Sequence, residues 1–323
     1  MSASLVIGAN GQIGSELVDA LAAAHGDANV VAADLAPPRA PGRSPFVALD
    51  VLDRARLGEI VQRHSVADVY LLAATLSAKG EAAPLDTWRL NVDGLLNVLE
   101  LARERRIARV FWPSSIAAFG PHTPRDPAPQ WTAMDPTTMY GASKLAGERL
   151  CAYYFARHGV DVRSVRLPGV ISHRTPPGGG TTDYAIAMFH AAKRGEAYRC
   201  FVDADTTLPM IYMPDTIRAI GELMAAEPSR VRIRSSYNLA GMSFAARTLA
   251  DAIAREVPGF SVRYEPDFRQ AIADSWPASI DDREAAEDWG WHAHYDLRAM
   301  TADMLAHVVA DPAIIPANAG IQH

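Results

Sequence analysis

An α/β fold on a doubly wound parallel sheet, with a smaller C-terminal lobe for substrate, is what the sequence predicts. Three observations carry this. Short apolar runs alternate with longer stretches of helical periodicity through the first half of the chain. The glycine turn Gly8-Ala9-Asn10-Gly11-Gln12-Ile13-Gly14 joins the first run to the first helical stretch, and the alternation loses its regularity after Leu167. Parallel strands joined by crossover helices produce the first pattern, because each strand is covered on both faces and reads as a continuous apolar run.

In chain order, strands are predicted at residues 5–7, 29–33, 46–49, 69–73, 110–112 and 162–167. Helices are predicted at 13–24, 88–105 and 140–156, where apolar residues recur at helical spacing, as Ile13, Leu17 and Leu21 do. Residues 34–45 hold four prolines and read as a surface loop. Beyond Leu167 come a Pro-Gly loop at 176–180, a helix from about 183 to 194, and helices near 214–226 and 244–256. The expected division is a dinucleotide-binding domain at 1–170 with a returning segment at about 209–241, a substrate lobe at 171–208 and 242–311, and a tail at 312–323.

The 323 residues, 49% of them apolar, suffice for one large core and a smaller lobe. A formal charge of −6 leaves no excess of positive charge for a phosphate backbone or an anionic membrane, which argues against nucleic acid as a partner. Cys151 and Cys200 are far apart and form no CxxC pair, against a disulfide framework and a thiolate zinc site. The first strand begins too early to leave room for a signal peptide, and no apolar run approaches the roughly 20 residues of a membrane span. A cytoplasmic protein is expected.

A glycine turn between a strand and a helix gives pyrophosphate a bare backbone to approach and the positive end of a helix dipole. Gly8, Gly11 and Gly14, with Asn10, Gln12 and Ile13 between them, are therefore candidate cofactor residues in a Rossmann-type sheet. Asp34 ends the second strand twenty residues beyond Gly14, where a carboxylate accepts hydrogen bonds from ribose hydroxyls and repels a 2′-phosphate, favouring NAD over NADP. Two readings stand beside this: Asp34 capping its own loop, and Arg39 relaxing the selectivity. Asp50 and Val51 either hold the adenine edge or close a turn.

Tyr140 and Lys144, in Tyr-Gly-Ala-Ser-Lys, stack on one face of a helix. A nearby ammonium favours phenolate and moves the tyrosine towards the pKa of a general base. Ser115, in Pro113-Ser114-Ser115-Ile116, follows a strand at its carboxyl end and is placed to hydrogen-bond a reacting oxygen. A surface Tyr-x-x-x-Lys pair is the plain alternative, and the catalytic reading rests on its occurring with the glycine turn, Asp34 and the serines in this order.

These motifs, GANGQIG, PSSIAAFG and YGASK, make the chain resemble the extended short-chain dehydrogenase/reductase family up to about residue 310. The resemblance implies that Lys144 also binds the nicotinamide ribose, that Leu167 and Pro168 lie against the nicotinamide, and that Leu72, Ala73, Ala74 and Asn91 border the cofactor. It also implies a homodimer through the helices flanking the site, that of Tyr140 included.

The stretches Pro177–Tyr184, Leu208–Tyr212, Trp276–Asp282 and Asp288–Trp291 together resemble the metal-independent branch of this family that oxidises L-threonine with NAD to 2-amino-3-oxobutyrate. That resemblance gives Tyr140 the role of base and Ser115 that of holding the developing oxygen. It places Ser77, Ser114, Gly180, Thr181, Thr182 and Trp276 around the small-molecule substrate. Physically, amides freed by the glycines and the Thr181 and Thr182 hydroxyls suit a carboxylate, whereas Thr182 or Asp183 capping the next helix is the plain reading. Rival expectations are a nucleotide-sugar epimerase or dehydratase, an NAD-sensing protein without catalysis, and a zinc enzyme, for which His292 and His294 offer a His-x-His pair without a third ligand.

Overall fold

The computed structural model describes residues 2–38, 42–175 and 178–309. Arg39, the first two residues of the 176–180 loop, and the tail 312–323 lie outside the described residues.

Strand β1 (Ala3–Ile7) feeds the glycine turn and helix α1 (Gln12–His25), followed by β2 (Val30–Asp34), β3 (Phe46–Ala48), α2 (Arg54–Arg63) and β4 (Val66–Leu71). After the short α3 (Ser77–Gly80), helices α4 (Pro84–Trp88) and α5 (Gly94–Arg103) run into one another through a π turn, Arg89–Asp93. Then come β5 (Arg109–Phe111), β6 (Ser114–Ser115), the long α6 (Met139–His158), β7 (Asp161–Arg163), β8 (Val165–Leu167) and β9 (Gly169–Ile171). The central sheet is parallel throughout, in the order β3-β2-β1-β4-β5-β7. The fold is the doubly wound Rossmann type, with its switch of direction between β1 and β4.

Strand alternation assigns the two faces of this sheet. Leu5 and Ile7 of β1 pack with Leu57, Leu95, Leu99 and Trp112 beneath α2 and α5. Val6, one residue out of phase, points the other way, to Leu17, Ile220, Leu223 and Trp291. Leu17 belongs to α1. The other side chains on that face come from α8 (Met213–Ala225) and from the chain after α11 (Arg283–Trp289).

The remainder comprises α7 (Tyr184–Arg194), β10 (Tyr198–Cys200), β11 (Thr207–Tyr212) leading into α8, β12 (Tyr237–Asn238), β13 (Met242–Ala245), α9 (Ala246–Glu256), β14 (Val262–Tyr264), α10 (Phe268–Asp274), α11 and α12 (Leu297–His307). β12 returns to lie parallel to β8, while β11 pairs with β9 and β13. A third apolar cluster, with Met188, Phe189, Leu249, Ile253, Trp276 and Met300, joins α7, α9 and α12.

Besides the helix expected at 88–105, which the π turn Arg89–Asp93 interrupts, two predicted elements differ from the structure. The single strand expected at 162–167 is broken at Ser164, because β7 stays beside β5 while β8 turns to β6 and β12. The helix expected from 244 begins at Ala246, since Phe244 continues β13 against Leu208. No helix among the described residues is long and apolar enough to cross a membrane.

Candidate active site

The carboxyl ends of β1, β4, β5 and β8 open onto one cleft of about 610 Å³. Its nucleotide end is the glycine turn, where Gly8, Asn10, Gly11, Gln12, Ile13 and Gly14 all line the wall. Gly8 adopts φ +88°, which favours glycine. A Cβ on Gly14 would stand 2.1 Å from the Gly8 carbonyl oxygen, so the turn closes only with a bare backbone. No side chain caps the amino end of α1, and its first amides remain for an anion. This cradle fits the pyrophosphate of a dinucleotide.

Asp34 ends β2 as expected, and its carboxylate accepts the Asn10 amide at 2.9 Å and the Leu35 amide at 2.8 Å. It ties the glycine turn to the second strand and stands just outside the cleft wall. Asp50 accepts the Leu52 amide at 2.9 Å, which is the turn-closing reading, and Val51 is buried beside it. Leu72 and Ala74 line the cleft; Ala73, Asp50, Val51 and Asn91 do not.

At the centre of the cleft, the amino end of α6 presents Tyr140 opposite Ser115. Thr138 caps this helix by accepting the Gly141 amide at 3.0 Å. Burial pushes the Tyr140 phenol up to about 12, while a hydrogen bond with Ser115 pulls the other way. One turn on, Lys144 donates to the Pro113 carbonyl at 2.7 Å, and burial brings its ammonium down to about 7. Its Nζ lies 4.6 Å from the Trp112 ring centroid and 5.6 Å from that of Tyr140. The lowering of the phenol expected from Lys144 is therefore not what the folded chain produces by itself, because desolvation outweighs the Ser115 hydrogen bond. Leu167 and Pro168 form the adjoining wall.

Asn91 is buried in the π turn, a kind of helix irregularity that recurs at functional sites. It accepts the Thr75 amide at 3.0 Å and donates to Ser143 Oγ at 3.0 Å, and Ser143 donates to the Tyr140 carbonyl at 2.7 Å. The loop after β4 and the tyrosine-bearing turn of α6 are thereby held together.

The far end is walled by Trp276, Ser77, Thr181 and Thr182. Ser77 Oγ accepts the Thr181 amide at 3.2 Å and shares a hydrogen bond with Thr181 Oγ1 at 3.1 Å. Two expectations need correction here. The Gly179 and Gly180 amides do not await a carboxylate, since both donate to Asp183 Oδ2 at 2.7 Å. Ser114 borders the cleft, but its hydroxyl turns away to Glu148 at 2.6 Å.

Sequence reasoning missed three features. Glu148, one further turn along the Tyr140-Lys144 face, forms a fully buried ion pair with Arg166 at 2.8 Å, and the regular spacing 140-144-148 was the available signal. Asp183 lines the cleft, and burial pushes its carboxyl up to about 6. Lys79 reaches the same end of the cleft from α3. The His292 and His294 Nε2 atoms are 3.1 Å apart, and no group of three metal-ligating side chains occurs among the described residues.

The model of the family described as NAD dependent epimerase/dehydratase matches residues 4–240. An uncharacterized epimerase/dehydratase of Staphylococcus saprophyticus is 47% identical over 94% of this chain and 96% of its own. Among solved structures, the holo form of a GalE-like L-threonine dehydrogenase from Cupriavidus necator is 58% identical, with a TM-score of 0.93 over 94% of this chain and 99% of that one. A monomeric L-threonine 3-dehydrogenase from a metagenome is 44% identical, with a TM-score of 0.91 over 94% and 97%.

Proposed function

Because the chain belongs to the NAD dependent epimerase/dehydratase family and takes NAD as its cofactor, we propose that it oxidises the side-chain alcohol of L-threonine to give 2-amino-3-oxobutyrate. The carrying observation is the far end of the cleft. Trp276 and the Ser77–Thr181 pair close a small polar space beside Tyr140 and Ser115. Among the described residues no arginine lines that cleft to meet a sugar diphosphate. The likeness to threonine dehydrogenases over nearly the whole chain supports the same reading.

In this reading Gly8, Gly11, Gly14 and the first amides of α1 hold the pyrophosphate, and Asp34 takes the adenosine ribose hydroxyls. Lys144 takes the nicotinamide ribose, with Leu167 and Pro168 against the ring. NAD, when bound, supplies the hydride acceptor. Tyr140, as phenolate, takes the proton from the substrate hydroxyl, and Ser115 donates a hydrogen bond to the same oxygen. Burial makes that phenolate a strong base, since the charge is poorly solvated until it receives a proton. Asn91 and Ser143 keep the Tyr140 turn in place through their shared hydrogen bonds.

The test is to offer L-threonine, UDP-glucose and UDP-galactose separately with NAD. NADH accumulating with L-threonine alone is the expected outcome. Interconversion of the sugars without net NADH, and no reaction with L-threonine, would replace this reading with epimerisation.

A further inference from the structure

The cleft has one carboxylate among its described walls, Asp183, and two cations, Lys79 and Lys144. Lys144 is buried and committed to the Pro113 carbonyl. Lys79 is exposed, and its ammonium makes no hydrogen bond or ion pair among the described residues. One positive and one negative side chain of the cleft wall thus both adjoin the glycine loop. The Lys79 Cβ stands 3.6 Å from where a Cβ of Gly179 would lie, and the Gly179 amide donates to Asp183.

The two oxygens of Asp183 differ. Oδ2 takes both loop amides at 2.7 Å, whereas no group among the described residues hydrogen-bonds Oδ1. A half-buried carboxylate with one oxygen fixed and no hydrogen bond to the other, lining a cleft, is prepared for a cationic donor, even with the Arg269 guanidinium acting on it electrostatically. An ammonium brought into this cleft loses its water and needs such an anion nearby. The same charge would oppose a phosphate. With the loop amides taken by Asp183, Lys79 is the cation of the described cleft wall that remains for a substrate carboxylate.

We propose that Asp183 and Lys79 are the two poles that read the substrate as a zwitterion: Asp183 accepts hydrogen bonds from its α-ammonium, and Lys79 pairs with its carboxylate. This rests on the reading of the site as one for a β-hydroxy amino acid. It adds two substrate-binding residues that set specificity and assigns each to one end of the molecule.

The experiment compares L-threonine with two truncated alcohols, 3-hydroxybutanoate, which lacks the ammonium, and 1-amino-2-propanol, which lacks the carboxylate. Asp183→Asn keeps an oxygen for the loop amides and removes the charge. It should lower kcat/KM for L-threonine and 1-amino-2-propanol about 10- to 100-fold relative to that for 3-hydroxybutanoate, mainly through KM. Lys79→Met should do the reverse, penalising L-threonine and 3-hydroxybutanoate relative to the amino alcohol. Equal losses on all three compounds, with the wild type active on L-threonine, would overturn the two-pole assignment alone. A wild type inactive on L-threonine would overturn the underlying reading, and the assignment with it.

Discussion

Tyr140 carries the chemistry in this account, and its environment sets how. With the phenol pushed up to about 12 by burial, the deprotonated fraction is small near neutrality and grows with pH. For a base whose pKa lies above the working range the rate rises as pH rises, so kcat/KM for L-threonine should climb between pH 7 and 9, by up to about tenfold per unit. A flat profile across that range would contradict the assignment. Tyr140→Phe should lose about 100-fold or more in kcat while NAD binding, followed by fluorescence titration, changes little. Behind the tyrosine, Arg166→Met would leave the buried Glu148 with only the half-exposed Arg149 at 3.3 Å as its cation, at a cost of up to about 3–5 kcal/mol in a denaturant titration. Adding Glu148→Gln to that variant should recover much of the loss. The Tyr140-Lys144 pair and Ser115 were legible because their spacing is local. The Glu148–Arg166 pair and the Asp183 contacts were not, since each depends on which of several polar side chains the fold turns inward.

At the scale of elements, the glycine turn, α1 and β2 form one unit, joined by the Asn10–Asp34 hydrogen bond. A Cβ at Gly14 would drive into the Gly8 carbonyl, so Gly14→Ala should abolish NAD binding in calorimetry, with a lowered melting temperature as the accompanying sign. The sheet was legible from its apolar runs, because strands covered on both faces leave little else to read. The break at Ser164 was not. Val162, Val165 and Leu167 fall within one short stretch of sequence, and only the divergence of β8 towards β12 separates them. In the same way the helical period near 244 hid a strand end, since Phe244 satisfies either pattern. The π turn at Asn91 has no local signature, because Arg89–Asp93 contain no glycine or proline to mark a break, and the hydrogen bonds of Asn91 to Thr75 and Ser143 are made across the fold.

For the whole molecule, the arrangement predicts selective stabilisation by one dinucleotide. At about 100 times its dissociation constant NAD adds about 2.7 kcal/mol, a rise of about 4 °C in melting temperature for a chain of this length. NADP at the same concentration should give a clearly smaller shift, because Asp34 would face its 2′-phosphate. Equal shifts would deny Asp34 that role. Assembly is open to a direct measurement as well. α6 leaves Tyr153 and Phe155 exposed on different sides of the helix, Phe155 beneath the Arg234 guanidinium, and one structural relative is described as monomeric. Light scattering should give twice the chain mass if α6 pairs with a copy of itself, and the chain mass if it does not.

The claim on which the rest depends is that hydride leaves the hydroxyl-bearing carbon of L-threonine for the nicotinamide. Oxidising L-threonine deuterated at that carbon and determining the isotope content of the NADH measures this directly. One deuterium at nicotinamide C4 for each product formed is the predicted result. NADH free of deuterium, or label retained in the amino acid while NADH accumulates, would contradict it.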